Sequence, residues 1–184
     1  MHLAAVLALH SIGNEALELA KKALDQDPAN TEILSRAVGI ANRKRAHQLA
    51  LDWLEKLQVL DPQNLAVQYQ TGLQLIHIGE HGKALDLFNA LLNQRPGDAS
   101  LLLGRLTAAI AANASAEAIA GGEALVAIDP ANDVCQYYFA IAKGETPPTQ
   151  PREVIADDFD RFAETFDQHL VVQLKYKLPR DVAN

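Results

Sequence analysis

The sequence is poor in aromatic residues, and this shortage limits the folds it can form. Aromatic residues make up 5% of the 184 residues, although apolar residues make up 49%. The core must therefore be built mainly from Leu, Ala, Ile and Val. Ala and Leu form helices readily, whereas aromatic and β-branched residues are typical of strands, so the composition favours packed helices in one or two domains.

Basic residues and cysteine are also scarce. The 16 Lys and Arg residues are outnumbered by 23 Asp and Glu, for a formal net charge of −7. This charge argues against nucleic acid as a partner, because a phosphate backbone requires a basic face. The single Cys135 excludes an intramolecular disulfide and fits the reducing cytoplasm. No apolar run approaches the roughly 20 residues that span a bilayer, so no membrane association is expected.

Prolines recur at a constant interval of 34 residues. The four are Pro28, Pro62, Pro96 and Pro130, and the segments around them are similar: "DQDPAN", "VLDPQN", "NQRPGD" and "AIDPAN". Each proline stops a helix, because it cannot donate the next backbone hydrogen bond. A repeat of this length predicts a stack of similar structural units.

Small and apolar residues recur in phase with these prolines. Twelve residues before each proline stands an alanine: Ala16, Ala50, Ala84 and Ala118. Five residues before each proline stands Ala23, Leu57, Leu91 or Leu125. A recurring small residue marks a close approach of two helix backbones, and apolar residues in steps of three and four line one helix face. Each unit is therefore predicted to be a pair of helices.

This pattern resembles the tetratricopeptide repeat. The unit from Leu65 to Asp98 carries the residues typical of that family at Gly72, Leu75, Gly79, Ala84, Phe88, Leu91 and Pro96. The resemblance covers residues 1–144, with repeats at about 1–30, 31–64, 65–98 and 99–132 and a partial repeat at 133–144. The first repeat is clipped, because Met1 falls inside its first helix.

The resemblance implies an all-α, right-handed superhelical solenoid of helix-turn-helix pairs, closed by a C-terminal amphipathic helix. Helices are predicted near 14–26, 31–43, 47–60, 65–78, 82–94, 99–112, 116–128, 133–144 and 153–177. The first helix of each pair would line a concave groove that holds a protein or peptide. The candidate groove residues are Arg36, Asn42, Arg43, Tyr69, Gln70, Leu73, His77, Leu103 and Thr107. The alternative is that Tyr69 and Ile76 only pack at the base of the solenoid.

No catalytic, cofactor or metal site is predicted within the repeats. His77 and His81 are four residues apart, as in a helical metal pair, but Gly79 lies where the family turns between its two helices. The two rings then need not share a face. The sequence also contains no P-loop and no Gly-rich loop after a strand.

The repeats are followed by a proline-rich linker at residues 145–152 and by a different segment at 153–184. Within "FDRFAETFDQHLVVQLKYKLP", apolar residues recur in steps of three and four and form one stripe on an amphipathic helix. This candidate docking stripe consists of Phe159, Phe162, Phe166, Leu170 and Leu174. It would pack on the last repeat as a capping helix, or on a second copy of the chain in a homodimer.

The same segment resembles the lead-in to an S-adenosylmethionine-dependent methyltransferase domain that follows tetratricopeptide repeats in a group of bacterial proteins. The matching residues are Phe159-Asp160, Phe166-Asp167, His169-Leu170, Tyr176 and Pro179. The resemblance implies that the chain is the non-catalytic, substrate-recruiting part of such an enzyme. The alternative is a stand-alone scaffold or adaptor. S-adenosylmethionine is expected only with a downstream domain, because a nucleotide-type cofactor of this kind binds at the carboxyl ends of a parallel sheet.

A substitution in the docking stripe tests its role. Phe162→Asp is expected to lower the melting temperature or to change the oligomeric state, because burial of each Phe contributes roughly 1.5–3 kcal/mol. Thermal unfolding and sedimentation would measure the two effects. A variant that resembles the wild type in both measurements would contradict the stripe.

Overall fold

The structure is a computed structural model that describes residues 2–147 and 149–155, with side chains from residue 14 onward. Within these residues all regular elements are helices, which confirms the predicted all-α class. The helices are α1 (His2–Gln26), α2 (Thr31–Arg43), α3 (His47–Leu60), α4 (Leu65–His77), α5 (His81–Gln94), α6 (Ala99–Ala111), α7 (Ser115–Ile128) and α8 (Asp133–Ala142). From α2 to α8, their ends lie within two residues of the predicted ones.

The turn between successive units repeats the same hydrogen bonds. Each proline turn ends in a residue whose side-chain oxygen accepts backbone N–H groups of the next helix: Asn30, Asn64, Asp98 and Asn132. In three of these turns the Asn amide also donates to the Asp before the proline, as from Asn30 to Asp27 at 2.9 Å. The Asp-Pro-x-Asn sequence therefore ends one helix and caps the next.

The turn within each unit depends on one residue in the left-handed region. Arg45, Gly79 and Asn113 have positive φ angles of 50°, 86° and 58°, and they are spaced 34 residues apart. The N–H of the following residue donates to the carbonyl five residues before it, at 2.9 Å, which is the Schellman arrangement. Glycine adopts this conformation without strain, and Asn tolerates it better than most residues do.

The first unit differs from the prediction. A clipped first helix, a turn and a second helix at 14–26 were expected, but α1 is one continuous helix from His2 to Gln26. Extending an existing helix adds one hydrogen bond for each residue ordered, whereas a separate short helix needs its own unfavourable nucleus. The chain therefore continues the helix through Ser11, where later units turn.

The recurring positions identified in the sequence form the core. Ala50, Ala84 and Ala118 are buried at the contact between the two helices of their units. Leu57, Leu91 and Leu125 are buried as well. Cys135 is also buried, and burial, followed by the nearby Asp129 carboxylate, raises the pKa of its thiol. Cys135 thus serves as a small apolar core residue.

Aromatic rings pack against glycines between neighbouring units. Phe88 of α5 is fully buried and lies against both Gly72 of α4 and Gly104 of α6. A Cβ atom at either glycine would lie 2.5 Å from the Phe88 ring. One unit later the glycine and the ring exchange places. Gly122 lies on the second helix of its unit, α7, and the ring of Phe139 from the next helix, α8, packs against it. The glycines thus provide the space that a close-packed core requires for the rings.

The core forms two apolar clusters with a polar contact between them. One cluster spans α1 to α3 and the other spans α5 to α8, with α4 residues packed against it. Between α3 and α4, His47 Nδ1 lies 3.0 Å from Oε1 of the buried Gln74. The His47 ring also stacks on His77, with 4.3 Å between ring centroids. Side-chain hydrogen bonding therefore supplements apolar packing at this contact.

After α8 the chain returns toward the solenoid. Gly144, two residues after the end of α8, has a φ of 74°. Pro151 is buried, and the next four residues are helical, with the Ile155 N–H donating to the Pro151 carbonyl at 3.0 Å. The docking stripe from Phe159 to Leu174 and the rest of the predicted helix at 153–177 lie outside the described residues.

The space around Phe88 generates a stability prediction. Gly104→Ala is expected to destabilise the fold by about 1–3 kcal/mol, because the new methyl group overlaps the Phe88 ring. The matched control is Gly82→Ala in α5, where a Cβ meets no atom within 4 Å, and which should not lose stability. Urea unfolding measures both. Adding Phe88→Leu to Gly104→Ala should restore part of the loss, and equal stabilities of the two alanine variants would contradict this packing.

Candidate functional site

Three first helices of successive pairs, α4, α6 and α8, lie side by side and form one wall of the solenoid. Their equivalent residues are 34 positions apart, so Gly39 of α2, Leu73 of α4 and Thr107 of α6 occupy the same position in three units. Residues one turn away from this position repeat in the same way. The concave groove is therefore lined by α4, α6 and α8, with α2 carrying the equivalent positions toward its other end, and its character changes from one end to the other.

At the α4–α6–α8 end, the groove contains a cleft of about 230 Å³. Tyr69 and Leu73 of α4, Leu103 and Thr107 of α6, and Val134 and Tyr138 of α8 line it. These side chains are mostly apolar. The Thr107 hydroxyl donates within its own helix, to the carbonyls of Leu103 and Gly104 at 3.1 and 2.9 Å. The cleft therefore suits apolar side chains.

Tyr69 links this cleft to the core. Its ring meets Phe88 edge to face, with centroids 6.0 Å apart and the planes inclined at 68°. Burial raises the pKa of the Tyr69 hydroxyl above its ordinary value of 10.0, and the Asp98 carboxylate raises it further. The same Phe88 ring that fills the space between Gly72 and Gly104 thus supports a wall of the cleft.

At the α2 end, the groove is polar and basic. Arg36 is 76% exposed and pairs with Glu32, one turn before it, at 2.7 Å. Arg43 is exposed near Gly39, whose Cβ would lie 3.8 Å from Arg43 Nη1. Asn42 is half-buried, and its Oδ1 has no hydrogen-bond partner among the described residues. An exposed ion pair contributes little, so Arg36 can exchange Glu32 for another anion.

The structure separates the predicted groove residues into three groups. Tyr69, Leu73, Leu103 and Thr107 line the cleft. Arg36, Asn42 and Arg43 belong to α2, and Gln70 is half-buried on α4 outside the cleft lining. His77 stacks on His47 at the end of α4 rather than lining the cleft, and His81 opens α5 beyond the Gly79 turn.

Five residues of the cleft were not identified from the sequence: Gly104, Val134, Tyr138, Glu153 and Val154. Tyr138 could have been found by continuing the 34-residue interval, since it follows the predicted Gln70 by two periods, whereas Val134 corresponds to no predicted groove residue. Glu153 and Val154 could not, because they line the cleft only after the chain has folded back beyond α8. Within the described residues, no group of three potential metal ligands occurs. No helix in this part of the chain is long and apolar enough to cross a bilayer.

The raised pKa of Tyr69 predicts a pH dependence of stability. The fold favours the neutral phenol, so this contribution is present below pH 10 and is lost as the pH rises through the higher folded-state pKa. The wild type should therefore lose stability relative to Tyr69→Phe as the pH rises above 10. Unfolding by urea at a series of pH values measures this difference, and parallel curves for the two proteins would contradict it.

Comparisons with known proteins agree with this architecture. No protein-family model and no curated protein matches the sequence. Solved structures do match, among them MamA from Desulfovibrio magneticus RS-1, with a TM-score of 0.63 and 18% identity over 96% of this chain and 94% of that one. A tetratricopeptide repeat protein from Parabacteroides merdae matches with a TM-score of 0.64 and 18% identity, over 87% and 62% of the two chains.

A third similar structure is YrrB, a TPR protein with an unusual peptide-binding site. It matches with a TM-score of 0.60 and 17% identity, over 94% of this chain and 84% of that one. At such identities the likenesses concern the fold and not the activity. The chain is thus a tetratricopeptide-type solenoid of helix pairs.

Proposed function

We propose that this chain is a protein-interaction module whose concave groove binds a peptide or a helix of a partner protein. The observation that carries the proposal is the apolar cleft built jointly by α4, α6 and α8. The described part of the chain presents no metal-ligand cluster beside it. A cleft with apolar walls and a few polar groups at its edge is typical of ligand recognition.

The two ends of the groove define the kind of peptide it would take. Apolar side chains would enter the cleft between Tyr69, Leu103 and Tyr138. Acidic side chains would face Arg36 and Arg43 at the α2 end. We therefore propose an amphipathic, acidic segment as the ligand, bound in the reducing cytoplasm. The similar fold of YrrB, which is described as having a peptide-binding site, supports the groove as the binding face.

The role of accessory region to a methyltransferase is a narrower proposal. It is supported by the resemblance of residues 159–179 to the lead-in of such a domain. In that role the groove would present a protein substrate to a catalytic domain encoded downstream of Asn184. We also propose that these 184 residues bind no S-adenosylmethionine by themselves. Coding sequence for a strand and an Asp-x-Gly-x-Gly-like loop would support the enzyme, and a stop codon would support the scaffold.

A substitution inside the cleft tests the peptide-binding function. Peptides are first selected from a displayed random library. The selection is made on the wild-type chain and on the variant Phe159→Asp/Phe162→Asp, whose substitutions disrupt the docking stripe. The best peptide is then titrated against the Thr107→Arg variant. The new Arg side chain would enter the cleft, so the affinity of this variant for the peptide should be at least tenfold lower than that of the wild type. The matched control is Asn93→Arg on an exposed position of α5, which should bind normally.

Two outcomes would contradict this function. One is a peptide that binds Thr107→Arg as tightly as it binds the control, because it would then bind elsewhere. The other is the failure of both selections to yield a specific peptide. Thermal unfolding of each variant confirms that the change in affinity does not come from loss of the fold.

A further inference from the structure

The segment that follows the linker enters the groove instead of extending the solenoid. Glu153 and Val154 line the same cleft as Tyr69, Leu103 and Tyr138. Pro151, just before them, is buried, and residues 152–155 begin a helix. A regular next unit would instead place its second helix against α7 and α8. The described contacts therefore begin a helix on the binding face.

We propose that residues 152–174 of the chain itself occupy the concave groove as an internal ligand and compete with partner peptides. This inference rests on the proposed peptide-binding function and identifies an occupant of the same site. The segment has the chemistry deduced for a partner, because it combines an apolar stripe with acidic residues. A partner would bind only when the segment is displaced.

The apolar pattern of the segment continues from its described beginning. Ile155 is the last described residue, and Phe159 follows it by four positions. The remaining steps, to Phe162, Phe166, Leu170 and Leu174, are three or four residues each. On a helix these residues share one face with Ile155. The helix begun at the cleft would therefore carry a continuous apolar stripe along the groove.

The charges of the segment complement those of the groove. Between Arg152 and Asp167 there are six acidic residues and two arginines. Arg36 and Arg43 are exposed basic residues of α2, in the unit before the cleft. Among the acidic residues, Asp160, Glu164 and Asp167 follow Val154 by about 9, 15 and 20 Å on a helix that rises 1.5 Å per residue.

Opening the groove provides the first test. The probe is a synthetic peptide of residues 152–174, titrated against the full chain. Phe159→Asp/Phe162→Asp disrupts the internal stripe and should bind the peptide at least tenfold more tightly than the wild type does. If the wild-type groove is free of the segment one-tenth of the time, the apparent affinity of the wild type for the peptide is reduced tenfold. Asn93→Asp/Gln94→Asp adds the same charge on exposed positions of α5 and should behave as the wild type.

Charge reversal provides a second test that leaves the stripe intact. Arg36→Glu/Arg43→Glu should increase amide hydrogen exchange in residues 156–174 by about tenfold, because the acidic face loses its partners. Lys22→Glu/Lys56→Glu makes the same charge change on exposed positions of α1 and α3 and should leave the exchange unchanged. Adding Asp160→Arg/Glu164→Arg to Arg36→Glu/Arg43→Glu should restore the protection of residues 156–174 from exchange.

Several outcomes would overturn the internal ligand. Equal affinity of the synthetic peptide for the wild type and the opened variant would do so, as would exchange that is insensitive to Arg36 and Arg43. A wild-type dimer in sedimentation that becomes monomeric in the opened variant would assign the segment to a second copy. A library-selected peptide that binds both proteins equally would refute the internal ligand while leaving the peptide-binding function intact.

Discussion

Close approach of helix backbones is the constraint on which the solenoid depends. A pair of short helices cannot bury its apolar faces alone, so each pair is stable only against its neighbours. The small residues Ala50, Ala84 and Ala118 allow the contact within three units. Phe88 fills the space left by Gly72 of its own unit and by Gly104 of the next. The spacing of the helices, and hence the shape of the groove, follows from these contacts.

The groove and the core are connected by the same side chains. Phe88 supports Tyr69 from behind, and Tyr69 forms a wall of the cleft. At the other side of α4, the contact with α3 includes His47 and the buried Gln74. A hydrogen bond has stricter geometry than apolar packing, so this contact helps to set the orientation of α4.

Much of this fold was predictable because it repeats. The prolines at 34-residue intervals placed helix ends, and the caps at Asn30, Asn64, Asp98 and Asn132 follow the same interval. Helix α1 was predicted incorrectly, because the repeat pattern required a turn near Ser11 that local helix propagation does not make. Continuing the helix past Ser11 avoids nucleating a second short helix, so local propagation decides.

The sequence by itself determined the all-α class, the repeat length and the helix ends from α2 to α8, because hydrophobic period and proline position act locally. Tertiary structure alone decided that Phe88 occupies the space of two glycines and that His77 stacks on His47. It also decided that Glu153 and Val154 line the cleft beside Tyr69, more than 80 residues away. These contacts join residues distant in the chain, and their partners depend on how successive helix pairs are stacked.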